Sequence, residues 1–165
     1  MNINQNIKTN QTPRVGSILP RLVCCLLVGF FFCSLAYAEV DLSIISQIES
    51  SNNPLAYNKT SKATGLYQIT PICLKDYLVY NSGAKLPKKG LFCPKFNKRV
   101  AEWYFNIRIP QLLRHYGLAE TIENICYAYN MGIGNLVKYR RGERKLPQET
   151  KDYLIKYRRL SHARN

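Results

Sequence analysis

The chain has 165 residues, with 24 Lys and Arg against 10 Asp and Glu and a formal net charge of +14. That length allows one compact core and is too short for several ordinary domains. The basic excess calls for an anionic partner.

Residues 1–38 carry Lys8, Arg14 and Arg21 and no acid, then run apolar from Leu22 to Leu35 and close on Ala36-Tyr37-Ala38. These are the parts of a secretory signal peptide, with cleavage expected after Ala38. The apolar run is shorter than the roughly 20 residues of a spanning helix, which argues against the alternative of a retained anchor. No stable membrane span is therefore expected after cleavage, and no small-residue lipobox precedes Cys24, Cys25 or Cys33. The expected location is the periplasm or another part of the cell envelope.

Beyond Ala38 one domain, residues 39–165, keeps 21 bases against 10 acids, a net +11, because the leader removes three bases and no acid. The excess is densest from Lys138 to Arg164. Export argues against nucleic acid and leaves an anionic membrane or a cell-wall polymer as the partner. Cys73, Cys93 and Cys126 remain, which an oxidising compartment would allow to form one disulfide in any of three pairings. His115 and His162 sit in no nucleophile motif, and no metal-ligand spacing or cofactor motif is present.

From Asp41 to Ser50 the residues Leu42, Ile45 and Ile48, with Ile44 beside them, predict a helix that ends near Glu49. Residues 52–70 are rich in Asn, Ser, Thr, Lys and Gly, which predicts loops with a small irregular sheet. Ile72, Cys73, Tyr77 and Leu78 suggest a short helix, broken between 81 and 95 by Gly83, Pro87, Gly90 and Pro94. Val100, Trp103, Tyr104 and Ile107 predict a helix ending before Pro110, with Leu112 and Leu113 continuing the core. Ile122, Ile125, Cys126 and Tyr129 repeat that spacing, and Gly132 with Gly134 is expected to close the helix in a turn. A last helix is expected from Thr150 as N-cap, with Tyr153, Tyr157 and Leu160 inward.

Glu49 stands where an apolar helix meets Ser50-Ser51-Asn52-Asn53-Pro54, a segment that cannot prolong the helix. A carboxyl group on such a boundary can be partly dried, kept protonated near neutral pH and aimed at a leaving-group oxygen. Glu49 to Pro54, then Gly65-Leu66-Tyr67-Gln68-Ile69-Thr70-Pro71, then Ala128-Tyr129-Asn130-Met131-Gly132, then Pro147-Gln148-Glu149-Thr150 followed by Tyr153, resemble in order and spacing the four signature blocks of the soluble lytic transglycosylase family. The resemblance covers nearly the whole chain beyond the leader.

It implies a mainly α, lysozyme-like domain of the goose-lysozyme type, with a small β or loop element beside the catalytic helix. It implies that Glu49 is the single catalytic acid/base and that Ser50, Tyr67, Gln68, Tyr129, Asn130 and Tyr153 bind the saccharide or orient the carboxyl. Two positions depart from the family: Tyr67 where methionine is frequent, which would put an aromatic ring in the groove, and Met131 where a small residue is frequent. The implied reaction cleaves peptidoglycan between N-acetylmuramic acid and N-acetylglucosamine and leaves a 1,6-anhydromuramoyl end, without metal or cofactor. The remaining acids lie in no saccharide-lining block, which suits a mechanism with one carboxylate. The alternatives are a goose-type lysozyme, with Asp76 positioning water, and a non-catalytic wall-binding component of a secretion, conjugation or pilus apparatus. Such an apparatus is also an expected partner of the enzyme.

Overall fold

The computed structural model describes residues 39–164; the leader and its cleavage site lie outside the described residues. The described chain is mainly helical, as expected. No described helix is long and apolar enough to cross a membrane.

Helix α1 (Leu42–Ser50) starts where the Asp41 carboxylate accepts the Ser43 N–H at 2.8 Å, satisfying one of the free donors of the first turn. The Asp41 N–H donates to the Tyr157 hydroxyl at 2.9 Å, which ties the start of α1 to the last helix. Ile44 and Ile45 are buried. After α1 the chain makes only isolated bridges among the described residues, Tyr57 with Thr64 and Thr64 with Ile69, so the irregular sheet is reduced to single pairs.

Helix α2 (Pro71–Tyr80) is capped by Thr70 and opens on a proline, whose missing N–H costs nothing in a first turn. A 3₁₀ turn (Gly90–Phe92) leads into α3 (Pro94–Trp103). Here the expectation of an ending before Pro110 is corrected. The chain passes through a π-helical turn (Tyr104–Arg108) directly into α4 (Ile109–His115). The Ile109 N–H reaches back to the Tyr104 carbonyl, which widens the ladder just ahead of Pro110, where a regular helix would collide with the ring. Val100, Ala101, Phe105, Ile109 and Leu113 along this rod are almost fully buried and form the centre of the core.

Helix α5 (Ile122–Met131) is capped by Thr121, and Gly132 ends it at φ 81 and ψ 148, a conformation open essentially to glycine. The expected Gly132–Gly134 turn is a break of one residue: α6 (Ile133–Arg140) begins at once and contains Gly134. Helix α7 (Gln148–His162) starts two residues before Thr150, which is therefore no N-cap but a buried residue of the first turn. Helix α5 packs on α6 and α7, and α7 on α1. Cys73, Cys93 and Cys126 are all free thiols, so none of the three disulfide pairings is formed.

Candidate active site

The end of α1 is set by two consecutive left-handed residues, Ser51 at φ 54 and Asn52 at φ 62. Asparagine tolerates that region because its amide bonds locally: Nδ2 of Asn52 donates to Gln47 Oε1 at 2.6 Å and its Oδ1 accepts from Ser46. The turn leaves Glu49 on the last helical turn, half-buried, at the wall of a cleft of about 390 Å³. Gln68, Ile69, Thr70, Cys73, Tyr104, Tyr129, Asn130 and Glu149 line the same cleft, with Asn58 and Ser61 from the loop after α1.

Each wall is held by a hydrogen bond to a distant part of the chain. Ser50 Oγ donates to the Leu66 carbonyl at 2.8 Å, joining α1 to the 64–70 turn. That turn closes through Gly65 at φ 81 and Gln68 at φ 47, with the Gln68 side chain donating to the Gly65 carbonyl at 3.0 Å. Asn97, fully buried on α3, accepts the Tyr67 N–H at 3.0 Å and donates to the Thr64 and Leu91 carbonyls at 2.8 and 3.0 Å. The Tyr129 hydroxyl donates to the Tyr67 carbonyl, and its ring stacks on Phe105 at 4.3 Å and meets Tyr104 edge-on at 5.8 Å.

Burial is the main force on the Glu49 carboxyl and pushes its pKa from the ordinary 4.5 up to about 7. The Tyr153 hydroxyl opposes that rise and the Glu149 carboxylate adds to it. The Tyr153 hydroxyl is buried and makes no hydrogen bond of ordinary geometry, so its approach to Glu49 is its principal polar interaction. Burial, with the Glu49 charge next, also keeps the Tyr129 and Tyr153 hydroxyls protonated far above their ordinary range. The site thus holds one carboxyl poised to carry a proton near neutral pH, in a polar cleft wide enough for a sugar.

A family model for the transglycosylase SLT domain matches residues 36–151. The chain belongs to that family. The SLT domain is a transglycosylase domain, and it makes this chain a transglycosylase-type enzyme acting on peptidoglycan. Comparison with curated proteins and with solved structures gives no match.

Of the residues singled out in the sequence, the SLT fold gathers Glu49, Gln68, Tyr129 and Asn130 on one cleft, with Tyr153 behind Glu49. Ser50 acts from the side, through Leu66. Tyr67 departs from its expected place: its ring is 4% exposed and lines a separate groove with Ser46, Lys98 and Glu102, so only its backbone serves the Glu49 side. Asp76, expected to position water in a hydrolase, pairs instead with Arg108 at 2.7 Å and does not line the cleft. Glu149 does line it, against the expectation that no second acid would. Its signal was its place one helical turn before Tyr153. Tyr104 read as core because it sits on an apolar stripe, Thr150 read as a cap, and nothing in the sequence marked Asn97.

Proposed function

We propose that this SLT domain is a lytic transglycosylase in which Glu49 is the single acid/base. The observation that carries the reading is a carboxyl group with its pKa near 7, half-buried in a polar cleft beside a tyrosine hydroxyl. A protonated Glu49 would donate to the oxygen between N-acetylmuramic acid and N-acetylglucosamine, while the muramoyl acetamide supports the positive charge at C1. The resulting carboxylate would take the proton of the C6 hydroxyl as O6 bonds to C1. The product is a 1,6-anhydro end, Glu49 is protonated again, and no water is consumed. Gln68, Tyr129 and Asn130 would hold the sugar, and Tyr153 would orient the carboxyl.

Glu149 favours a second reading, hydrolysis, because it puts another carboxylate in the cleft that could orient water. The masses of muropeptides released from purified murein separate the two. Anhydro ends, lighter by one water than reducing ends, support transglycosylation; reducing ends overturn it. An active parent that becomes inactive as Glu49→Gln supports the enzyme, whereas an inactive parent favours a wall-binding component. We place the domain in the cell envelope after cleavage at Ala38, serving a secretion, conjugation or pilus apparatus that needs local gaps in the wall. N-terminal sequencing of the exported protein tests the cleavage.

A further inference from the structure

The outward face of α2 is exposed among the described residues. Ile72, Lys75 and Val79 lie at i, i+3 and i+7, one stripe of the helix, and Ile72 and Val79 are 82% and 72% exposed. Leu86, on the loop that follows, is 52% exposed, whereas Tyr80, equally exposed, rests its ring on Trp103 at 5.4 Å. A helix that is apolar on all sides is ordinarily buried on all sides. In α2 the stripe with Cys73 and Tyr77 is buried and Leu74 and Leu78 pack partly on the core, which leaves Ile72 and Val79 as apolar side chains on the outside.

Charge indicates what covers them. Lys75 on this stripe and Lys85, Lys88 and Lys89 on the loop that follows are exposed, and none makes an ion pair among the described residues. The single acid between Pro71 and Phe92 is Asp76, already neutralised by Arg108. Protein interfaces are depleted in lysine. Apolar tips among unpaired lysines suit a phospholipid surface, where the tips enter the headgroup boundary and the ammonium groups meet phosphates. We propose that the outer face of α2 and the Leu86 loop dock the domain peripherally on an anionic phospholipid bilayer. Cys73 lies about 100° round the helix from Ile72 and lines the Glu49 cleft, so docking leaves that cleft wall uncovered.

The inference stands apart from the reading of Glu49, and its test uses no enzymatic readout. The domain from Glu39, in which Val40, Ile45, Val100, Phe105, Ile125 and Leu154 share one buried cluster, is sedimented with vesicles of phosphatidylethanolamine containing about one quarter phosphatidylglycerol, and with vesicles of phosphatidylcholine alone. Binding is expected to the first and not to the second. Ile72→Ser with Val79→Ser should weaken it by about tenfold or more, and Lys85→Gln with Lys88→Gln by roughly tenfold. Lys156→Gln with Arg159→Gln, the same charge removed from exposed positions of α7, should leave it within about twofold. All these side chains are exposed, and an unchanged thermal midpoint shows that each variant is folded. The proposal is overturned if the parent does not bind, if the Ile72/Val79 variant binds like the parent, or if the α7 variant loses as much as the Lys85/Lys88 variant. Concentration-dependent dimers that vanish with Ile72→Ser and Val79→Ser, with no vesicle binding, would assign the face to self-association and also overturn it.

Discussion

The Thr150 hydroxyl donates to Asn130 Oδ1 at 2.7 Å, and that bond joins the first turn of α7 to the last turn of α5 where both meet the Glu49 cleft. Thr150 is 1% exposed, so water cannot replace the donor if it is lost. Thr150→Val keeps the shape and removes the bond. It should lower stability by about 1–3 kcal/mol in urea unfolding, with Thr150→Ser recovering much of the loss. Turnover should fall in the same order if Asn130 holds substrate, because its amide would lose its fixed orientation.

Ionisation of Glu49 lowers activity and stability together. As the acid it must be protonated, so kcat/KM on murein should fall as pH rises through about 7. Its folded pKa lies above the ordinary 4.5, so the native state binds the extra proton. The cost to stability is absent below 4.5, grows between there and 7, and is complete above 7, on the order of 3 kcal/mol. Glu49→Gln should therefore abolish turnover by about 10²- to 10⁴-fold while raising the unfolding midpoint at pH 8. A variant that stays active, or is less stable than the parent at that pH, counts against the site.

Tyr153 and Glu149 act on that carboxyl with opposite signs, and a pH profile reads them separately. Tyr153→Phe removes the hydroxyl that lowers the Glu49 pKa, so the alkaline limb should move to higher pH, with turnover down by up to about 10²-fold from lost orientation. Stability should change little, because the lost hydroxyl has no ordinary hydrogen bond. Glu149→Gln removes a neighbouring negative charge and should move the limb to lower pH. Two shifts in the same direction would contradict the arrangement.

The 64–70 turn has no room at Gly65. A Cβ there would stand 2.4 Å from Asn97 Nδ2 and 2.7 Å from the Leu91 carbonyl, at a φ of 81 that side chains disfavour. Gly65→Ala must displace Asn97, which is buried and bonds three backbone groups. A loss of about 3 kcal/mol or more is expected, a fall in the thermal midpoint on the order of 10 °C. Gly83→Ala, where a Cβ meets nothing, is the control and should change the midpoint by no more than a degree or two.

Much of the fold was legible because its helices carry strong local signals. The stripe Ile122, Ile125, Cys126 and Tyr129 depends on neighbours one turn away, and α5 lies where it puts it. Pro110 misled because its usual effect as a helix breaker was cancelled by the π turn ahead of it, whose widened ladder rests on the packing of Phe105 and Ile109. Helix α6 was missed because Gly132 and Gly134 read as a turn, although only Gly132 adopts a glycine-specific conformation. Thr150 had the chemistry of a cap, but the half-buried Asn130 amide competed for its hydroxyl.

By itself the sequence determined α1, α2, α3 and α5, the isolated position of Glu49 at a helix end and the order of the four blocks, since these need only residues close in the chain. The tertiary structure alone decided that Glu149 and Tyr104 share the Glu49 cleft, that the Tyr67 ring does not, and that Asp76 is spent on Arg108. The carboxyl's affinity for its proton belongs to the same group, because it depends on how much water α5, α7 and the 64–70 turn exclude together. Exclusion of water is a property of surfaces brought into contact, and no residue carries it before the chain is folded.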